Sequence, residues 1–547
     1  MEGGPAAGRR SYAPLAVITA SVVALALVTP AFTGSDEPGH FARAWRITEG
    51  RLVPDRSPSG RGVGACLPRR VLHEAVRLGV SGLGGRPPSE ADLDERYERC
   101  GGSRAFVDTS TFAWYSPLGY LPAAAGLAVG RVLGVPLGSA LVLARLSNVV
   151  VCLLVLRAAW RRLPRGRWAM VAVVGLPVAA FSLAGVTPDG LTLVLSCYVV
   201  SGALQRLLFA GVSRREAARI FLSSLALGLT KPGYVLLAFA HLVPALAVRR
   251  HGKERGAQES SGGSGGGSGG GTAQGSSAGS AAEATRKAVP LPMVALVVVF
   301  AVACSAAWHA FAASDFRCDV WMFGIAPDPS GQLRRLSDEP WAVVVAGVVA
   351  LRDHGVDWLA QAGGFAERVA PTLTKPAVAA TAVAALAVTG WLGERSSGRD
   401  GDSAHRSGSL VGPGDGRSAG GGSGDGGSGD GGSGADGLEN RSESGLVWRT
   451  SLVALAAIAY LGIVAGWLVY CSPPGLDLVS VPHARVLAPL FVPVAMAALV
   501  GRVAGETTVQ KTVERRRSGG DAFAALAILV VVQVAFLADV FTATRMR

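Results

Sequence analysis

The amino-acid sequence predicts an all-α membrane protein, a polytopic bundle of about eleven transmembrane helices. Half of the 547 residues are hydrophobic and only 17% are charged, whereas soluble domains are about 25% charged. Apolar runs of about 20 residues, enough to cross roughly 30 Å of hydrocarbon, recur along the chain. Backbone polar groups inside lipid must bond to one another, so we expect these runs to be helices.

The net charge of +13 does not indicate a nucleic-acid-binding protein. The basic residues form short clusters between the apolar runs, as membrane topology requires, and we expect no nucleic acid among the partners. Heavy use of Arg, Ala, Gly and Val is typical of a GC-rich bacterial genome. We therefore expect a multi-pass protein of the bacterial plasma membrane, surrounded by lipid.

Eleven spans follow from the hydropathy pattern. They are residues 14–32, 139–156, 168–186, 191–210, 220–229, 234–248, 289–311, 376–392, 446–470, 485–503 and 522–541. The first is predicted to be an uncleaved anchor, because its apolar stretch is too long for a signal peptide and no small-residue cleavage site follows. The run 220–229 is short, and a re-entrant hairpin over 220–248 is the alternative.

The distribution of arginine and lysine sets the predicted orientation. Arg9 and Arg10 place residues 1–13 in the cytoplasm. The apolar segment 117–135 is assigned to the membrane interface, because five basic clusters then all lie on the cytoplasmic side. This leaves 33–138 as a long extracytoplasmic loop with interfacial helices and 312–375 as a second one.

The remaining domain boundaries follow from this topology. Helices 2–6 occupy residues 139–248, and helices 9–11 lie within 446–547. Two Gly/Ser-rich segments, 249–288 and 393–445, cannot bury enough apolar surface to order themselves. We expect both to be disordered cytoplasmic linkers.

Cysteine positions suggest an oxidised external region. Cys66, Cys100, Cys318 and Cys471 all map to the extracytoplasmic side, where disulfides persist. Cys66 and Cys100 are the favoured pair, and free thiols are the alternative.

Adjacent carboxylates follow the first span. Asp36 and Glu37 are suited to taking a proton from a hydroxyl or holding a cation. The structural alternative is a helix start, with Ser35 or Asp36 as N-cap and Pro38 in the first turn. Both interpretations can hold together.

Four further residues are candidate binding groups. Asp189 lies at an outer turn, where it could equally cap the next helix. Lys231 is a lone cation that suits an anion such as a phosphate, or reaches to the interface as an ordinary lysine does. Arg485, after His483, begins a helix against the helix dipole, which indicates an anionic partner.

The motifs together resemble a known family. The segments 36–44 (DEPGHFARA), 115–122 (YSPLGYLP), 144–148 (ARLSN), 188–190 (PDG) and 231–234 (KPGY) are similar, in this order, to the landmarks of the bacterial family called domain of unknown function 2142. That family resembles the GT-C glycosyltransferases in layout, which transfer sugars from polyprenyl-phosphate donors.

The resemblance implies roles for particular residues. Asp36 would be the general base with Glu37 supporting it, and Asp189 a helper. Lys231 and Arg485 would contact phosphate, with His40, Arg43 and His483 also on the substrate-binding side. The family usually has Gly-Arg-Tyr near the last motif, whereas this chain has His483-Ala484-Arg485.

The sequence therefore favours an inverting GT-C-like glycosyltransferase. Its expected partners are a polyprenyl-phosphate-linked sugar and an envelope glycan or lipid acceptor on the extracytoplasmic face. No cofactor is predicted, since nucleotide and zinc motifs are absent, and a divalent metal stays open. The alternatives are a transporter or flippase for a glycolipid or polysaccharide precursor, and a non-catalytic envelope-assembly protein.

Overall fold

The computed structural model describes residues 12–243 with short gaps at 35, 61, 83–84, 114, 164–165 and 209–213. It further describes 291–313, 328–363, 384–389, 392, 436–471, 484–503, 524–534 and 537. The predicted linker 249–288 and most of the predicted span 376–392 lie outside these residues.

Helices dominate the described chain. They are α1 (Ala13–Val28), α2 (Glu37–Thr48), α3 (Arg69–Gly82), α4 (Glu90–Arg96), α5 (Leu121–Val132), α6 (Leu137–Arg162), α7 (Arg167–Val174), α8 (Pro177–Ala184), α9 (Pro188–Leu208), α10 (Arg214–Thr230), α11 (Leu291–Ala313), α12 (Pro329–Asp338), α13 (Ala342–Gly363), α14 (Asp436–Cys471), α15 (Ala484–Val503) and α16 (Ala524–Val534). Three 3₁₀ helices, Ser110–Phe112, Pro117–Tyr120 and Tyr234–Leu242, connect them.

Three described helices are long and apolar enough to cross a membrane. They contain residues Leu137–Arg162, Pro292–Ala312 and Trp448–Val469. The bent pair α7 and α8 makes a fourth if it is one span. The structure thus gives a helical membrane protein with three or four such spans among its described residues, and the number eleven stays a prediction.

The bundle core lies between α1, α6, α8 and α9. Its buried side chains are almost all aliphatic, and α14 and α15 pack against it from the C-terminal part of the chain. Leu154 of α6, Phe300 of α11 and Ile458 of α14 are each more than half exposed. Exposed apolar side chains on long apolar helices are what a lipid-facing surface requires.

The predicted span 168–186 is broken. Helices α7 and α8 meet at an angle of 76°, because Pro177 comes two residues after Gly175 and proline cannot continue a hydrogen-bonded helix. The buried Gln533 side chain of α16 donates a hydrogen bond to the carbonyl oxygen of Gly175 at 2.6 Å. A polar side chain thereby satisfies the backbone group that faces the break.

The region between α1 and α6 contains a sheet that the all-α prediction missed. Strands β1 (Asp55–Arg56), β2 (Val63–Pro68), β3 (Arg99–Gly101) and β4 (Arg104–Asp108) form an antiparallel sheet in the order β1-β2-β4-β3. A disulfide joins Cys66 to Cys100, the pair that the sequence favoured. Strands β1 and β3 are too short to show the alternation that predicts a sheet, and burial does not alternate residue by residue along β2 or β4.

Other elements also differ from the predicted boundaries. Helix α13 lies within the segment 312–375 that was assigned to a loop, and it packs against α8, α14 and α15. Helix α14 begins at Asp436, so the last residues of the predicted linker 393–445 are helical. Helix α10 begins at Arg214 and has 17 residues, which is longer than the predicted 220–229.

Candidate functional site

Most of the candidate residues meet at one end of the bundle. Asp36 and Glu37 begin α2 directly beyond the end of α1. Asp189 lies in the first turn of α9, and Lys231 follows the last residue of α10. Because α9 and α10 run in opposite directions, the start of one and the end of the other lie together.

Asp36 is the exposed member of the acidic pair. It occupies the N-cap position of α2, yet its side chain makes no capping hydrogen bond. Its backbone is left-handed, with φ of 59°, a conformation in which Asp is enriched among non-glycine residues. The predicted helix start is therefore present, with Pro38 in the first turn, but the Asp36 carboxylate does not serve it as a cap.

Glu37 has a different environment. Its carboxylate accepts hydrogen bonds from Arg145 Nε at 2.8 Å and Arg145 Nη2 at 2.6 Å. Both side chains are 2% exposed. Two parallel bonds of this kind are the geometry that guanidinium and carboxylate groups favour. Arg145, which the sequence analysis gave no role, is thus the partner of Glu37.

Asp189 and Lys231 form a second buried ion pair, with side chains 3% and 6% exposed. The ammonium group of Lys231 also lies 5.2 Å from the centre of the Tyr115 ring, within the range of a cation–π interaction. The structure thus brings together two motifs that are 42 positions apart in the sequence. Lys231 points into the protein, so it is not an interfacial lysine with its head group in water.

His40, in the first turns of α2, packs among aromatic side chains. His40 Nδ1 and Tyr120 Oη share a hydrogen bond of 2.9 Å, and His40 also packs on Phe112. Burial raises the pKa of Tyr120 well above its usual value; the charge of Arg43 opposes this, and Tyr115, Asp189 and Asp36 add smaller upward effects. The Tyr120 hydroxyl therefore stays protonated near both carboxylates.

Arg43 lies under the surface. It is fully buried, its Nη2 donates to the carbonyl oxygen of Leu52 at 3.2 Å, and its guanidinium lies 5.9 Å from the centre of the Tyr120 ring. Burial lowers its pKa, which Tyr120 and Asp55 partly offset. His40 and Arg43 both contact neighbouring protein groups in this structure.

A small cavity lies between the Glu37–Arg145 pair and Asp189. Glu37, Arg145, Asp189, Thr29 and Thr187 line it, together with Gly34 and part of α8. Its volume of about 20 Å³ suits a water molecule and excludes a sugar. The hydroxyl oxygens of Thr29 and Thr187 are buried there without a hydrogen-bond partner among the described residues.

Two predicted positions cannot be placed. His483 and the side chain of Arg485 lie outside the described residues. Within the described part of the chain, no three His, Cys, Asp or Glu side chains group as metal ligands would.

Sequence comparison identifies the family. The profile of the family described as "Predicted membrane protein (DUF2142)" matches residues 20–395, a range that includes both ion pairs and the four-stranded sheet. No curated protein and no solved structure matches the chain. Since the matched range covers more than half of the sequence, the chain belongs to the DUF2142 family of predicted membrane proteins.

Proposed function

We propose that the protein is a membrane glycosyltransferase of the GT-C type. It would transfer a sugar from a polyprenyl-phosphate donor to an envelope glycan or lipid acceptor on the extracytoplasmic face of the bacterial plasma membrane. One observation carries the proposal: Asp36 is an exposed carboxylate at the end of the bundle, next to a neighbour whose own carboxylate is neutralised.

In this proposal, Asp36 is the general base. As the acceptor oxygen attacks the anomeric carbon, its proton passes to the Asp36 carboxylate. The bond between the anomeric carbon and the phosphate oxygen breaks, and polyprenyl phosphate leaves with the bonding electron pair. A single in-line displacement of this kind inverts the anomeric centre.

The donor phosphate needs positive charge nearby. Lys231 is the candidate in this proposal, and because it is buried in its ion pair with Asp189, that pair would have to open for the ammonium group to meet a phosphate. Arg485 is a second candidate for the phosphate, and His483 for the substrate. His40 and Arg43 are both buried, so in this proposal they would not touch the substrate. They would hold α2 in the position that presents Asp36.

The size of the cavity indicates where the sugar would bind. A space of about 20 Å³ is far smaller than the pockets of roughly 300 Å³ or more that hold drug-sized ligands. The sugar would therefore lie outside the cavity, at the exposed face that carries Asp36.

The test uses the purified full-length protein in liposomes with a panel of labelled polyprenyl-phosphate sugars and an envelope extract as acceptor. We expect wild-type protein to form a glycosidic product and Asp36→Asn to lose it. Glu90→Gln is the matched control, since Glu90 is an exposed acid of the same external region. Equal turnover by wild type and Asp36→Asn would refute Asp36 as the base.

A transporter is the second candidate. The bent pair α7 and α8 supports it, since broken helices near buried charges are typical of transporters. Its signature in the same liposomes is movement of the labelled lipid between leaflets without any glycosidic bond. That result would favour transport over transfer.

A further inference from the structure

The connection between α1 and α2 has an unusual backbone. Phe32 with φ of 61° and Asp36 with φ of 59° are the non-glycine residues with positive φ in the described chain. For a bulky residue such as Phe this region is rarely occupied. Such conformations are strained and persist only where the surroundings hold them.

Arg145 contacts the chain on both sides of this connection. Before it, Nη1 donates to the carbonyl oxygen of Thr29 at 2.5 Å and Nη2 to that of Pro30 at 2.9 Å. After it, Nε and Nη2 donate to the two carboxylate oxygens of Glu37. One side chain from α6 therefore fixes both ends of the segment that carries Phe32 and Asp36.

The chemistry of the guanidinium group explains why arginine occupies this position. Its five N–H donors lie in one plane and can serve a carboxylate and carbonyl groups at once. A lysine ammonium at the same depth has three donors and no fixed plane, so it cannot reproduce both sets of bonds. Because Arg145 lies within a long apolar helix, leaving its charge unpaired would be costly.

We propose that Arg145 and Glu37 are a positioning pair, which holds the Phe32–Asp36 connection so that the Asp36 carboxylate faces outward. Glu37 then takes no proton during the reaction. Whether this pair positions the connection does not depend on the proposed function. Only the expected effect on turnover rests on Asp36 being the general base.

Hydrogen–deuterium exchange of the full chain in detergent tests the positioning directly. We expect Arg145→Gln to increase exchange in peptides covering residues 30–41 by about tenfold or more, since a broken buried pair frees the segment. Arg162→Gln is the matched control. Arg162 is at the other end of α6 and is paired with Glu216 at 3.3 Å.

Two further variants keep the test decisive if Arg145→Gln fails to fold. Arg145→Lys retains the charge and Glu37→Gln retains the shape, and both should increase exchange in the same peptides by a smaller factor. Unchanged exchange over 30–41 in all the folded variants overturns the proposal. An equal increase in Arg162→Gln would also overturn it, because the effect would then be a general loosening.

Turnover adds a measurement that a purely structural role would not alter. Glu37→Gln should lower kcat while leaving the KM for the donor nearly unchanged, because it misplaces the Asp36 carboxylate without touching the groups that bind the donor. Asp36→Asn should abolish turnover without changing the exchange. If exchange responds as expected and wild type transfers no sugar, the glycosyltransferase proposal fails and the positioning pair stands.

Discussion

Lys231 and Asp189 form an ion pair that joins the end of α10 to the start of α9. The sequence presents these residues as two separate polar positions, each at the tip of a turn. In the structure they neutralise each other under the surface, beside Tyr115. Asp189 lines the same cavity as Glu37 and Arg145, so the acidic motif of α2 and the two turns make up a single charged region.

Removing one partner of this pair should destabilise the protein strongly. Lys231→Met leaves the Asp189 carboxylate buried without its counter-ion, at a cost of about 3–5 kcal/mol. The double variant Lys231→Met, Asp189→Asn should recover much of this loss. Thermal unfolding of the purified protein in detergent measures both.

The exposed pair Arg352 and Asp353 provides the control for this comparison. Neutralising both residues should leave the unfolding temperature unchanged, because exposed pairs contribute little. Additive losses for the two substitutions at Lys231 and Asp189 would show that the pair does not act as a unit.

The glycine after Asp189 should not tolerate a side chain. A Cβ at Gly190 would lie 2.5 Å from the carbonyl oxygen of Ser182 and 2.8 Å from Cα of Leu183, both backbone atoms of α8. Gly190→Ala must therefore push α9 from α8, and we expect it to lower stability by about 1–3 kcal/mol. Thermal unfolding again gives the value.

Gly138 of α6 is the matched control for Gly190. A Cβ there would meet only the flexible end of Leu78 at 3.8 Å. Gly138→Ala should be neutral or stabilise by about 0.5–1 kcal/mol, because alanine loses less backbone freedom in a helix. Similar effects of the two substitutions would contradict the close approach of α9 to α8.

The Cys66–Cys100 disulfide should stabilise the four-stranded sheet. It links β2 to β3 across a sequence separation of 34, for which the loop-entropy relation gives about 3–4 kcal/mol. Cys66→Ser with Cys100→Ser should raise the susceptibility of residues 50–110 to limited proteolysis. Cys152→Ser, at a buried free cysteine, should leave that cleavage pattern unchanged, and cleavage that ignores the disulfide would contradict the prediction.

The region around the four-stranded sheet should lose stability in acid. Burial favours the neutral form of Asp55, but bonds from the Arg46 side chain and the Cys66 amide lower its pKa overall. A carboxylate whose folded pKa lies below its unfolded value of about 3.9 stabilises the fold above that pH. This contribution disappears as the pH falls through the folded pKa.

Hydrogen exchange of β2 between pH 7 and pH 3 tests this dependence. Protection, corrected for intrinsic exchange, should fall below about pH 4. In Asp55→Asn it should be lower at pH 7 and change less over the same range. A wild-type protein that keeps its full protection at pH 3 would exclude Asp55 as the responsible group.

The sequence predicted the membrane class and several helices well because the apolar runs are long. The break between α7 and α8 was missed, although Gly175-Leu176-Pro177 is a strong local signal within the run 168–186. The four short strands gave no comparable signal. They are held by hydrogen bonds between strands and by the Cys66–Cys100 disulfide. A hydropathy pattern shows neither of these interactions.

The sequence selected only some of the residues that the structure brings together. Asp36, Glu37, Asp189 and Lys231 were selected from the sequence, but their pairing was not, because it depends on the packing of α6, α9 and α10. Arg145 could have been suspected, since a charged residue within an apolar span normally has a functional or structural partner. Asp36 and Glu37 have different environments because of the backbone conformation at the start of α2. That conformation cannot be read from their adjacent positions in the sequence.

The hydrogen bond from Gln533 to Gly175 bears on where the chain can be truncated. The family profile ends at residue 395, yet the carbonyl that α7 exposes at its bend is satisfied from α16. A fragment cut at the profile boundary would place an unsatisfied oxygen in an apolar interior. Residues beyond 395 thus contribute to the packed core in this protein, and biochemical work needs the full 547-residue chain.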